Sequence, residues 1–446
     1  MILVDLLKVI SSDQITEETI SKFIPRIASQ FDEIREAVLT IINEVKNNGD
    51  EAILKYTKKF DGVELNRSEI KVDEKEIENA YNNIDENLLD ALRYAKKNLI
   101  KFHKAQKRKN WSIKIEKGVK AGQIYKPLDV VGIYVPGGRA IYPSTLLMAA
   151  TPAYVANVKN LIVCSPPQKN NEIAPEILVA AHEYNIKNIF KVGGVQAIAA
   201  MAYGTDTIPK VQKVVGPGNK WVNAAKQLLI NAIAIDNPAG PSEILIIADD
   251  TANINYLITD FISQIEHDPD NVGILVSNSD EVIKKFKEKF EYFLENLERK
   301  QIVKDALKNS LIVKANDIDD CVRISNIIAP EHLEILTENP KAIVQQIANA
   351  GAIFLGPYSP VPLGDYSAGT NHILPTGGNA KKYSGLNIYD FLKVIETLEC
   401  KKKGLKLLSK SAMTIAEFEG LFSHKKSIEE RLKPDKKACS SALGRK

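Results

Sequence analysis

IDNPAGPSEILIIA (Ile235–Ala248) is the stretch that decides the fold. Its second half, Ile244–Ala248, is short, apolar and β-branched, which predicts a buried strand. The segment that follows repeats apolar residues on one helical face, at Leu257, Ile258, Phe261, Ile262 and Ile265. A strand that feeds a helix is half of a parallel α/β unit, so we expect a parallel sheet around this strand.

The same alternation extends to both sides of this stretch. Strand and helix patterns alternate from Val130 to Ile235, and the alternation restarts at Ser242 and continues to Leu355. This arrangement predicts two α/β units with parallel sheets. The charged N-terminal third is predicted to be helical, and Asp390–Leu398 is predicted to be a helix.

The composition excludes several classes of protein. The chain has 446 residues, 44% of them hydrophobic, and a net charge of +3, which is too small for a dedicated nucleic-acid binder. We find no signal-peptide pattern and no apolar run as long as a membrane span, so we expect a cytoplasmic protein without a membrane partner. The widely spaced cysteines predict free thiols and argue against a cysteine-built zinc site; they are Cys164, Cys321, Cys400 and Cys439.

Two polar residues at the end of the helix that follows Ala248 are candidate metal ligands. Gln264 and His267 are three residues apart, so they share a helical face. An amide oxygen and an imidazole that converge there suit a divalent metal such as zinc.

The chain has only six histidines, and their contexts differ. His103 and His182 lie in ordinary amphipathic helices, where we expect surface or boundary positions. Glu331 and His332 lie together before a strand, where a carboxylate beside an imidazole offers two bases near neutral pH. A solvent-facing pair at a strand edge is the alternative interpretation.

Two further segments contain a histidine in an unusual context. In the long Gly- and Pro-rich loop after Gly356, Asp365 is a candidate oxygen ligand and His372 a candidate substrate contact, although Asp beside Gly is also common in turns. Glu419 and His424 flank a helix end, where a histidine is commonly structural.

Glycine-rich turns are candidate phosphate contacts. Gly216-Pro217-Gly218-Asn219 and Gly193-Gly194-Val195-Gln196 each lie between a predicted strand and a predicted helix, where backbone N–H groups face an anion. Neither turn matches GxGxxG, and tight βα turns use glycine in any case.

Taken together, these motifs resemble the histidinol dehydrogenase family. The resemblance runs from Tyr134 to His424 through motifs in the family's order, which are GIYVPGG, GGVQAIAA, VVGPGN, IDNPAGPSE, SQIEH, APEHLE, GDYSAGTNHILPT and EGLFSHK. It implies two incomplete Rossmann-like domains and a homodimer in which small terminal segments cross to the partner. The implied division is 1–28 for an N-terminal helical segment, 29–130 with 237–378 for the first Rossmann-like domain, 131–236 for the second, NAD-binding domain, and 379–446 for a dimerisation segment.

The resemblance also implies an activity and a role for each site residue. The activity is two successive NAD-dependent oxidations of L-histidinol, through L-histidinal, to L-histidine, the last step of histidine biosynthesis. One zinc ion per subunit is implied, with Gln264, His267, Asp365 and His424 as ligands that also contact the substrate. Glu331 and His332 match the acid–base pair, which likewise contacts the substrate; Ser242, His372 and Glu419 match further substrate-binding positions; Tyr134, Gln196 and Asn219 match NAD-binding positions.

The resemblance has one structural consequence, and the same residues allow one alternative function. If the terminal segments cross over, Glu419 and His424 complete the partner's site. A different class, a zinc hydrolase that uses Glu331 to activate water without a nucleotide, is the alternative interpretation of the same residues.

Overall fold

The computed structural model describes residues 7–24, 28–137, 141–238, 240–295 and 297–433. Gly138 and Arg139 of the predicted Pro136–Arg139 turn and the C-terminal residues from 434 onward lie outside this range. The strands are β1 (Lys8–Ser11), β2 (Trp111–Glu116), β3 (Val119–Pro127), β4 (Val130–Tyr134), β5 (Asn160–Ser165), β6 (Asn188–Lys191), β7 (Lys213–Val215), β8 (Ala234–Ile235), β9 (Glu243–Ala248), β10 (Val272–Ser277), β11 (Leu311–Lys314), β12 (His332–Leu336), β13 (Ala352–Leu355) and β14 (Leu392–Cys400).

The helices complete the alternation that the sequence predicts. Within the described residues, no helix is both long and apolar enough to cross a bilayer. The helices are α1 (Ile20–Phe23), α2 (Ala28–Asn48), α3 (Asp50–Phe60), α4 (Glu74–Asn83), α5 (Glu86–Ala105), α6 (Pro143–Val155), α7 (Pro175–His182), α8 (Gly194–Tyr203), α9 (Lys220–Leu228), α10 (Ile254–Ile265), α11 (Asp280–Glu295), α12 (Lys300–Ala306), α13 (Ile318–Ile328), α14 (Pro340–Val344), α15 (Val361–Tyr366), α16 (Lys402–Phe418) and α17 (Phe422–Leu432).

The chain divides into two compact units. The first contains Met1–Lys107 and Leu128–Phe391, and the second contains Arg108–Pro127 and Leu392–Lys446. Both parallel sheets belong to the first unit.

The two sheets of the first unit share one strand order. The six-stranded sheet is ordered β1-β11-β10-β9-β12-β13 and the five-stranded sheet β6-β5-β4-β7-β8, and every pairing in them is parallel. Without the edge strand β1, each sheet follows the Rossmann order 3-2-1-4-5 and lacks a sixth strand. The prediction of two incomplete Rossmann-like domains with parallel sheets is therefore confirmed.

The strand predicted from Ile244–Ala248 is the centre of the six-stranded sheet. All residues of β9 are buried, and hydrophobic clusters cover both faces of the sheet. Helix α10 lies close against β10 because Gly273 has no side chain there; a Cβ at this position would come within 2.4 Å of the Phe261 ring. This close approach fixes the helix that carries Gln264 and leads to His267.

The N-terminal helices pack differently from the predicted domain assignment, which grouped 29–130 with 237–378. Side chains of α2 and α3, such as Val38, Ile42 and Ile53, share a hydrophobic cluster with Val195 and Val222 beside the five-stranded sheet. Apolar periodicity predicted these helices but contains no information about which sheet they cover. The remaining domain boundaries stay predictions.

The second unit contains a three-stranded antiparallel sheet, ordered β14-β3-β2, with α16 and α17. The predicted helix Asp390–Leu398 is wrong, because Leu392–Cys400 is a strand that pairs with β3 along its whole length. This segment contains β-branched Val394, Ile395 and Thr397, which favour a strand once a partner strand is available.

Candidate active site

The predicted acid–base pair lies at the start of β12, between β9 and β13. Glu331 and His332 are both buried, which excludes the alternative of a solvent-facing pair. His332 Nδ1 lies 3.2 Å from the carbonyl oxygen of Glu243. Because a carbonyl only accepts hydrogen bonds, Nδ1 carries the proton of a neutral ring and Nε2 is then the basic nitrogen. Nε2 lies 3.5 Å from Asp365 Oδ1.

Burial and charge shift both members of this pair. The backbone N–H of Glu243 donates a hydrogen bond of 2.9 Å to Glu331 Oε2, and burial raises the pKa of Glu331 to about 7. Burial alone lowers the pKa of His332, but the carboxylates of Glu331 and Asp365 outweigh this effect and raise the pKa to about 9. A cation at Asp365 would compete with His332 for that carboxylate and lower the pKa of the imidazole. Glu331 therefore exchanges protons near neutral pH, and His332 does so once a cation at Asp365 lowers its pKa.

The Gly- and Pro-rich loop brings a second carboxylate and a second imidazole to His332. Asp365 is near the end of α15, and the chain returns so that His372 Nδ1 lies 3.0 Å from the Asp365 carbonyl oxygen. Burial acts to raise the pKa of Asp365, but the neighbouring imidazoles, His332 above all, hold it below its usual value. Burial lowers the pKa of His372. Asp365, His332 and His372 thus form one electrostatic cluster.

The end of α10 approaches the same cluster. Gln264 is buried, whereas His267, just beyond the helix, is exposed and acts electrostatically on Asp365. Asn271 Nδ2 donates a 2.9 Å hydrogen bond to the Gln264 carbonyl, and Asn271 Oδ1 accepts one of 3.1 Å from the Ser242 backbone. These bonds join the helix end to the segment that contains Ser242.

This cluster lies at the amino ends of the strands. Ser242 precedes β9, Glu331 precedes β12, and α10 runs back from the carboxyl end of β9 to the amino end of β10. Ligands of open α/β sheets usually bind outside the carboxyl ends. In the six-stranded sheet the switch point lies between β9 and β12, as is usual, but the polar groups lie at the amino ends of these strands.

The predicted zinc ligands are a mixed set of nitrogen and oxygen donors. Among the described residues, no group of three or more His, Cys, Asp and Glu side chains is positioned to hold a metal ion. The predicted set includes only two such side chains from the first unit, His267 and Asp365, together with the Gln264 amide. Nitrogen and oxygen donors of this kind suit zinc, which binds three or four protein ligands, so this set of three fits zinc and leaves a position for a further ligand.

The predicted NAD positions lie in a cavity of about 1110 Å³ at the five-stranded sheet. Tyr134 ends β4, Gln196 is in the first turn of α8, and Asn219 precedes α9; all three line this cavity. The cavity therefore opens at the carboxyl ends of the strands, where the β4–β7 switch point predicts a ligand.

Local hydrogen bonds and a close backbone approach fix the walls of this cavity. The N–H of Gly194 donates a 3.1 Å hydrogen bond to the Tyr134 hydroxyl, and Asn219 Oδ1 caps α9 by accepting from Trp221 and Val222. Gly216 has φ +118°, and a Cβ there would lie 2.1 Å from the Tyr134 carbonyl oxygen. Only glycine allows this approach of β7 to β4, which brings the turn before Asn219 beside Tyr134.

Glu419 and His424 belong to the second unit. Both are exposed; Glu419 follows the end of α16 and His424 lies in the first turn of α17.

The whole chain was compared with known proteins. The family model described as histidinol dehydrogenase matches residues 24–432. The chain belongs to the histidinol dehydrogenase family. It is 46% identical over 421 residues to the histidinol dehydrogenase of Methanocaldococcus jannaschii, covering 94% of this chain and 97% of that protein. It is 44% identical to that of Lactococcus lactis, covering 93% and 96%.

A solved structure agrees with this family assignment. Histidinol dehydrogenase from Elizabethkingia anophelis superposes with a TM-score of 0.92 at 39% identity, covering 96% of this chain and 98% of that one. As a member of the histidinol dehydrogenase family, the chain is an oxidoreductase of histidine biosynthesis. The predicted family and enzyme class are confirmed.

Sequence reasoning missed several polar residues of this histidinol dehydrogenase family member. The backbone of Glu243 contacts both members of the acid–base pair. Its position next to Ser242, within Ile235–Ala248, was the feature of the sequence that could have identified it. Asn271 and the cavity-lining Asp61 have no motif around them, so only the structure identifies them.

Proposed function

We propose that this chain oxidises L-histidinol to L-histidine in two NAD-linked steps, at a zinc-bearing site completed by a second copy of the chain. The observation that carries the proposal is the cluster of buried Glu331 and His332 with half-buried Asp365, beside Ser242 and the end of α10. Acid–base groups and candidate metal ligands meet there, as oxidation of a bound amino alcohol requires.

In this proposal, four residues hold one zinc ion per subunit: Gln264, His267 and Asp365 of one chain and His424 of the partner subunit. When bound, zinc serves to fix the imidazole and amino nitrogens of the substrate. Ser242, His372 and the partner subunit's Glu419 bind the remaining polar groups of the substrate. The support for zinc is the mixed nitrogen and oxygen donor set of the three residues from one chain.

His332 and Glu331 move the protons. His332 Nε2 accepts the hydroxyl proton of histidinol as the carbon–hydrogen bond breaks, and it serves again when the hydrated aldehyde is oxidised. Glu331 accepts a proton from the water that adds to the aldehyde. A carboxyl with a pKa of about 7 suits that role, because it is half ionised at neutral pH and returns the proton readily.

NAD supplies the hydride acceptor for both oxidations, and we propose that Tyr134, Gln196 and Asn219 bind it. The large cavity and the helix starts at Gly194 and Lys220 support this assignment, because helix N-termini favour phosphate groups.

The proposed homodimer is supported by exposed apolar side chains on the second unit. Alternate residues of β2, Trp111, Ile113 and Ile115, are each at least 44% exposed, and Phe418 beside Glu419 is 94% exposed. Apolar groups of this size on one small unit are typical of a surface that another chain covers. A partner that covers them would bring its own Glu419 and His424 to the first chain.

We also infer a reducing, cytoplasmic location. Cys164 and Cys321 are buried free thiols, and Cys400 is an exposed free thiol. An exposed unpaired thiol is typical of proteins that function in a reducing compartment.

Turnover of histidinol with NAD+ tests the proposal. We expect two NADH and one histidine for each histidinol, measured by absorbance at 340 nm and amino-acid analysis, with about one zinc per subunit by elemental analysis. One NADH per histidinol with histidinal as the end product would contradict the two-step proposal. Hydrolysis of an ester or amide without NADH would favour the zinc hydrolase instead.

Changing Glu331→Gln separates the two steps. We expect the oxidation of added histidinal to slow by roughly 100-fold, and the first oxidation of histidinol to slow much less, because only the aldehyde step needs a water-activating base. Single-turnover absorbance with each substrate measures both rates. Glu338→Gln, which removes an exposed carboxylate just beyond β12, is the matched control. Equal slowing of both steps would remove Glu331 from this role.

A further inference from the structure

The NAD cavity encloses polar atoms that have no partner within the protein. Asp61 Oδ2, Ser165 Oγ and Gln196 Oε1 are all buried, line this one cavity and make no hydrogen bond among the described residues. Buried polar groups in native proteins are nearly always paired, so an unpaired group needs an explanation. Three of them around one cavity indicate that a polar ligand supplies the missing partners.

Asp61 is the one anionic group among these three. It follows the last residue of α3, and its backbone N–H closes that helix by donating to the Thr57 carbonyl at 2.9 Å. Burial raises the pKa of its carboxyl to about 6, and no cationic neighbour offsets this effect. The carboxylate also lies near enough to Tyr134 to add to the effect of burial in raising the pKa of that hydroxyl. A buried carboxylate oxygen without a donor is costly, and it persists where a ligand supplies the donor.

The position of the cavity selects the half of the dinucleotide that meets Asp61. The described lining comes from α2, α3 and the five-stranded sheet with its helices, and it contains neither Glu331 nor His332. The nicotinamide ring must reach the substrate carbon beside those residues. The part of NAD that the cavity encloses is therefore the adenosine half.

The chemistry of that half then selects the contact. Two adjacent ribose hydroxyls are two donors at the spacing of two carboxylate oxygens, and this pairing recurs in other dinucleotide sites. The negative charge of the pyrophosphate excludes it from a position next to the Asp61 carboxylate. Lys59 and Lys169, which are exposed and line the cavity, suit the pyrophosphate better. A 2′-phosphate would likewise place negative charge against a buried carboxylate.

We propose that Asp61 binds the 2′- and 3′-hydroxyls of the adenosine ribose and thereby makes the site select NAD over NADP. This inference rests on the proposed NAD function of the cavity. It assigns specificity to the residue that follows α3, outside the five-stranded sheet that positions Tyr134, Gln196 and Asn219.

Calorimetric titration of the full-length protein with NAD+ and NADP+ tests the inference. We expect Asp61→Asn to weaken NAD+ binding by roughly tenfold or more, since hydrogen bonds to a charged group are lost. We expect Asp61→Ser to reduce the preference for NAD+ over NADP+ by roughly tenfold or more, because it removes both the hydrogen bonds and the repulsion. Glu51→Gln, an exposed acid on the same helix that does not line the cavity, should change neither value.

The ratio of the two affinities decides the outcome, because a general loss of structure weakens both dinucleotides alike. An unchanged ratio in both Asp61 variants would overturn the inference while leaving the NAD proposal intact. The unmodified protein gives an independent answer: 2′-deoxy-NAD+ should bind roughly tenfold more weakly than NAD+, and equal binding would contradict the inference. If the unmodified protein binds no NAD+, the proposed function itself fails, and this inference with it.

Discussion

His332→Ala is expected to lower kcat for histidinol by roughly 1,000-fold while leaving the zinc content unchanged. The imidazole is the group placed to accept the hydroxyl proton, and a positioned general base contributes roughly 100- to 10,000-fold. The side chain is 3% exposed, held by the Glu243 carbonyl, and directed at Asp365 through Nε2. Steady-state absorbance at 340 nm and elemental analysis of the same sample measure both quantities.

A matched variant makes this result specific. His267→Ala is expected to lose most of the zinc and, with it, most of the activity, because it removes a proposed ligand on the exposed end of α10. His182→Ala removes a histidine that does not line the NAD cavity and is not among the proposed site residues, so it should change neither quantity. Equal zinc loss in the His332 and His267 variants would contradict the division between base and ligand.

Much of the fold could be predicted because the decisive patterns are local. The apolar run at Ile244–Ala248 and the periodic helix after it specify a buried strand and its crossover, and the structure confirms both. The spacing of Gln264 and His267 predicted a shared helical face, but α10 ends at Ile265 and His267 lies beyond it. These inferences need only the chemistry of neighbouring residues.

The parts that failed depend on partners that are distant in sequence. The sequence of Leu392–Cys400 does not show that this segment pairs with the strand Val119–Pro127. The prediction of a helix at Asp390–Leu398 was therefore wrong. His103, expected at a surface or boundary position, is fully buried because its ring packs near Asn371, 268 residues away. The covering of the five-stranded sheet by α2 and α3 is a third such case.

The site shows the same limit. Residue types and motifs predicted Glu331, His332 and Asp365 as candidate site residues, but periodicity could not place them at the amino ends of the strands. That location follows from the path of α10, which runs from the carboxyl end of β9 back to the amino ends of the strands and so brings Gln264 close to the start of β9 and β12. The Gly- and Pro-rich loop after Gly356 reaches the same amino ends of the strands, where Asp365 lies close to His332.

Whether two chains build each site is the central claim, and it predicts complementation between inactive variants. We expect His267→Ala and His424→Ala to be inactive as homodimers, because each lacks one proposed zinc ligand in every site. In a heterodimer of the two variants, one site carries both changes and the other carries neither if His424 is supplied by the partner. That heterodimer should therefore regain roughly half of the wild-type activity and zinc content.

The measurement is the activity of heterodimers purified through two different affinity tags after co-expression. A control heterodimer pairs a wild-type chain with a chain that carries both changes; shared sites predict that it is inactive, because each of its sites has lost one ligand. If the first heterodimer regains about half of the activity and the control has none, the site is built from two chains as proposed. If the first is inactive and the control keeps about half, each site lies within one chain and the account is contradicted.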